Sequence, residues 1–71
     1  MTDPTAAELV HQLTNHLAVV VGFCDLLITG APDGDPRTVD LLEVHTAARQ
    51  ALALIPEVER RLKVADSEAP R

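Results

Sequence analysis

Five of the six residues from His11 to His16 are polar: His11, Gln12, Thr14, Asn15 and His16, with Leu13 between them. A neutral imidazole presents a nucleophilic nitrogen near physiological pH, and a phosphorylated imidazole is a good leaving group. His11 is therefore a residue that can take up a phosphoryl group and pass it on. Asn15 lies one helical turn beyond it, so its amide can sit beside the imidazole and hold a water or a phosphoryl oxygen. Gln12 and Thr14 complete the candidate set. His16 is five residues from His11, roughly 140° around a helix, so the two do not form the same-face pair that a helix-borne metal site needs. Neither a metal nor an organic cofactor is expected. His45 has no comparable company, and Asp40, Glu43, Glu57 and Glu59 read as a solvated face.

These residues need a helix to present them, and the flanking sequence predicts one over about 4–29. Asp3 and Pro4 supply a capping oxygen and a proline suited to the first turn. Ala6, Val10, Leu13, Leu17, Val20, Cys24 and Leu27 form an apolar seam with alternating spacings of four and three. His11 falls just outside that seam, and Leu9, Val21, Phe23 and Ile28 widen it beyond a two-stranded coil. The GAPDGDP stretch predicts a chain reversal over about 30–35. Asp35 and Pro36 repeat the start signal for a second helix over about 36–64, with its seam at Leu41, Val44, Ala48, Ala51, Ile55, Val58 and Leu62. Pro56 inside it predicts a kink near Leu52–Ile55 or a restart, and the tail from 65 to 71 is expected to fray. Gly22 in mid-helix is expected to allow a close helix approach. The fold class is all-α, an antiparallel helical hairpin forming a single domain.

The bulk composition agrees with a helical bundle. The 71 residues are 46% hydrophobic but include a single aromatic, Phe23, so the core must be aliphatic. A chain this short buries little surface alone, and each seam is wider than one neighbour covers, so two hairpins are expected to pair as a homodimeric four-helix bundle. A net charge of -5 offers nothing to a nucleic-acid backbone. The lone Cys24 reads as a reduced, buried hydrophobe, which suits a cytoplasmic location. The uncharged run from Leu9 to Cys24 contains His11, Gln12, Thr14, Asn15 and His16, and is expected to be too polar and too short for membrane insertion. The amino terminus has no cationic start of a secretory signal.

The run HQLTNHLAVVVGFCDLL resembles the H-box of histidine kinase dimerisation and phosphoacceptor domains: His-Glu/Asp-Leu-x-Asn/Thr-x-Leu, an apolar stretch, Gly, an aromatic and a Leu-Leu pair. His11, Leu13, Asn15, Leu17, Gly22, Phe23, Leu26 and Leu27 sit in register with it. The run VDLLEVHTAARQALALI is similar to the family's second helix, including Ala47, Ala48 and Arg49, and the resemblance covers residues 6 to 62. It implies that His11 is the phosphoacceptor and that Asn15 positions the water that dephosphorylates a partner receiver. It also implies that a response-regulator receiver domain or a separate sensor kinase is the partner, docking near Val19. The family usually has an acid directly after the histidine. Here Gln12 stands there, and a neutral amide takes no proton, which argues against self-phosphorylation. Since no ATP-binding domain follows Leu62, the expectation is a stand-alone histidine phosphotransfer protein of two-component signalling, a phosphotransferase and not an autonomous ATP-dependent kinase. The alternative is a non-catalytic dimerisation or scaffold module.

Overall fold

The computed structural model describes the backbone of residues 3–68 and the side chains of residues 3–65. Two helices, α1 (Ala6–Gly30) and α2 (Arg37–Glu68), pack side by side as an antiparallel hairpin. The chain spans 59 × 27 × 13 Å, so it is one helix thick. A single layer has no interior, and among the described residues only Cys24, Ala48 and Ile55 are buried apolar residues.

The start of α1 differs from the Asp3–Pro4 expectation. Thr5 is the capping residue: its hydroxyl oxygen accepts the amide of Glu8 at 3.1 Å. A Thr followed three residues later by Glu has the spacing of a capping box, and this outcompetes the aspartate two residues earlier. The reversal follows the expected turn chemistry. The amide of Asp35 donates to the carbonyl of Pro32, and Gly34 takes φ +80°, a left-handed conformation that favours glycine. Asp35 then accepts the Arg37 amide through Oδ1 at 2.9 Å, at the start of α2.

α2 does not stop at Pro56, which lies inside a helix that continues to Glu68. The tail expected to fray from 65 onward is thus helical as far as Glu68, and residues 69–71 lie outside the described residues.

Three of the seven expected seam positions on α1 and five of the seven on α2 face the other helix. Val10, Leu17 and Cys24 are joined there by Thr14, Val21 and Ile28, while Leu13, Val20 and Leu27 are exposed. On α2 the covered positions are Leu41, His45, Ala48, Ala51, Leu52, Ile55 and Leu62, while Val44 and Val58 remain open. α1 carries two interleaved seams of the same period, and sequence spacing does not separate them.

Gly22 does not serve a close helix approach within the hairpin: it is exposed, and a Cβ added to it would meet nothing within 4 Å. Cys24, by contrast, is buried as expected, at 6% exposure.

Candidate functional site

α1 is uninterrupted across residues 11–15, so side-chain direction there follows from the 100° step of the helix. His11, Gln12 and Asn15 are exposed, and Thr14 is half-buried. The Thr14 hydroxyl donates to the carbonyl of Val10 at 2.9 Å, so its hydrogen is already committed to the helix backbone. Thr14 is therefore less available as a phosphate-binding donor than its spacing suggests. Gln12, one residue on from His11, points about 100° away from it. Asn15 remains on the same side of the helix as His11, one turn on. The four predicted residues thus resolve into a His11–Asn15 pair open to solvent, with Gln12 turned aside and Thr14 turned toward α2.

Among the described residues, the His11 imidazole takes part in no hydrogen bond or ion pair with the rest of the chain. No neighbour holds it in one tautomer or blocks a ring nitrogen. Ala7, Ala18 and Gly22 lie on the same flank as His11, and Glu8, three residues before it, borders the imidazole on the Asn15 side. Among the described residues no group of three or more His, Cys, Asp or Glu is placed to hold a metal.

A second polar pair was not singled out from the sequence. His45 Nε2 lies 2.7 Å from Asp25 Oδ1 across the hairpin, with the histidine side chain 16% exposed and the aspartate 63% exposed. The nitrogen is shielded from water, yet the contact lacks the alignment of a hydrogen bond. The signal available in the sequence was His45 itself, a polar residue at seam spacing between Leu41 and Ala48. The pair borders a shallow groove lined by Val21, Arg49, Leu52 and Ala53. Fourteen residues separate Asp25 from His11, about 21 Å along the helix, so the pair does not touch the His11 site.

No family model matches the chain, and neither does any curated protein or solved structure. Among the described residues α1 is the one helix long and apolar enough, by length and composition, to cross a membrane, with a mean hydropathy of 1.5 over its best 18-residue window. It is longer than the uncharged run suggested, because it extends past Glu8 and Asp25 toward both ends.

Proposed function

We propose that this chain is a histidine phosphotransfer protein of two-component signalling, in which His11 carries a phosphoryl group exchanged with the aspartate of a receiver domain. In the forward step a ring nitrogen of His11 attacks the phosphorus of the aspartyl phosphate. An N–P bond forms, the P–O bond breaks, and the carboxylate leaves with the electron pair. Asn15, one turn on, donates its amide N–H groups to the phosphoryl oxygens. The observation that carries this reading is the position of His11: exposed and, among the described residues, without a hydrogen-bond or ion-pair partner, within a run that resembles the H-box.

The protein is proposed to work in the cytoplasm as a homodimeric four-helix bundle, without membrane insertion and without nucleic acid. Against insertion stand the five polar residues between His11 and His16, which would have to be desolvated within a bilayer core. The absence of Lys and Arg from α1 likewise argues against an interfacial helix.

The test uses a panel of receiver domains phosphorylated with acetyl phosphate. The expected result is acid-labile, base-stable phosphate on this chain, lost in His11→Ala and reduced in Asn15→Ala. If every receiver retains its phosphate at the same rate with and without the chain, the proposal fails. Gln12 specifically favours the scaffold alternative, since it replaces the acid that assists phosphorylation in the family. That alternative predicts receiver or sensor-kinase binding that is unchanged in His11→Ala.

A further inference from the structure

His45 and Asp25 are two residues of metal-ligating type on different helices, and the fold brings His45 Nε2 to 2.7 Å from Asp25 Oδ1. Close as they are, they do not form a hydrogen bond, and Nε2 is left shielded and without a partner. At this separation the N–H···O angle falls below about 120° once the oxygen lies more than roughly 40° off the line of the ring N–H. The Asp25 oxygen therefore stands beside the nitrogen and not in front of it. In a neutral imidazole with its hydrogen on Nδ1, the Nε2 lone pair then faces an anionic oxygen, two acceptors with no donor between them.

A divalent transition ion satisfies both acceptors at once. An ion about 2.1 Å from each atom forms a triangle whose angle at the metal is roughly 80°, with the oxygen about 50° off the ring lone pair. That angle suits neighbouring positions of an octahedral or tetragonal ion, which lie about 90° apart. Tetrahedral coordination spreads the same two ligand atoms to about 3.4 Å, so the pair favours nickel(II) or copper(II) over zinc(II). The remaining coordination positions open on the groove lined by Val21, Leu52 and Ala53, where water fills them. Entry is from the Asp25 side, whose side chain is 63% exposed against 16% for His45. Arg49 is exposed and lines the same groove, and its charge opposes a cation there.

We infer that Asp25 and His45 form a two-residue chelate for a nickel(II)- or copper(II)-like ion, completed by water, that clips α1 to α2. Each helix supplies one ligand, so the ion binds the folded hairpin in preference to the unfolded chain and raises its stability. With only two protein ligands the ion exchanges readily. The inference is independent of phosphate chemistry at His11 and of the oligomeric state.

Calorimetric titration of the full chain with nickel(II) chloride alone is expected to show a saturable site, and the thermal unfolding midpoint should rise with nickel(II) concentration. Asp25→Asn and His45→Gln should each weaken binding about tenfold or more, whereas His16→Ala should leave it unchanged. Asp25→Asn is a conservative change at an exposed side chain, so its helix content by circular dichroism is expected to match the parent, and its loss of binding reads the site itself. Arg49→Gln should tighten binding severalfold. The absence of saturable binding, or binding that Asp25→Asn leaves unchanged, overturns the chelate. Binding abolished by His16→Ala overturns it as well, since the ion then sits elsewhere on α1. Zinc(II) held more tightly than nickel(II) overturns the proposed coordination geometry.

Discussion

His45 Nε2 and Asp25 Oδ1 stand 2.7 Å apart across the hairpin, joining a shielded imidazole on α2 to a carboxylate on α1 that is largely in water. The two sides of this pair differ in what their removal leaves behind. Asp25→Ala takes away the carboxylate 2.7 Å from a shielded nitrogen that already lacks a hydrogen-bond partner, and is expected to lower stability by less than about 1 kcal/mol. His45→Leu replaces the shielded polar group with apolar volume at a seam position and is expected to be neutral or stabilising. Urea unfolding of the two variants checks this, and equal losses in both would refute the assigned asymmetry.

Asp35 links the loop to α2 and gives the protein an acid-sensitive feature. The Arg37 side chain hydrogen-bonded to its carboxylate, with help from the Arg37 amide, holds the carboxyl below its ordinary value of 3.8. A carboxyl depressed in the folded state contributes stability that is fully present above the unfolded value. That contribution is lost as pH falls through the folded value. Melting temperature is therefore expected to drop below about pH 4 in part through Asp35. Asp35→Asn should lower the plateau at neutral pH and flatten the acid limb; an acid limb of unchanged steepness would count against this assignment.

Gly22 occupies an exposed helical position where an added Cβ meets nothing. Gly22→Ala is expected to stabilise the chain by roughly 0.5–1 kcal/mol through helix propensity alone. Thermal unfolding followed by circular dichroism measures it. A loss of stability would show that something outside the hairpin needs the missing side chain.

His16 is the polar member of the open α1 stripe formed by Leu9, Leu13, Val20, Phe23 and Leu27. A polar residue at one seam position lowers affinity while helping to define register. His16→Leu is therefore expected to tighten the dimer about tenfold, in line with the transfer of an apolar side chain into an interface. An unchanged or weaker dimer by sedimentation would place His16 outside the contact.

Much of the secondary structure was legible in the sequence because its signals are local. Asp35 and Pro36 announced α2, the GAPDGDP run announced the reversal, and heptad spacing announced two helices. The cap that Thr5 places on the Glu8 amide is equally local, and it lies two residues beyond Asp3. The candidate site was legible only in part: the spacing of His11 and Asn15 put them on one side of a helix. The commitment of the Thr14 hydroxyl to Val10 depends on a side-chain rotamer, which spacing does not specify.

What the sequence by itself determined is the helical hairpin and the chemical identity of His11, since capping, turn propensity and apolar period act over a few residues. Only the tertiary structure decided which seam each helix spends on the other. Leu13 and Thr14 are neighbours on α1, and both fit a heptad pattern. Packing against Ala48, Leu52 and Ile55 turned the Thr14 side inward and left the Leu13, Val20 and Phe23 side open. The same choice of face put His11 and Asn15 in solvent and brought Asp25 to His45, a contact between residues 20 positions apart that no local signal encodes. Periodicity states that a face is apolar, and only the docking of a second helix states which apolar face is covered.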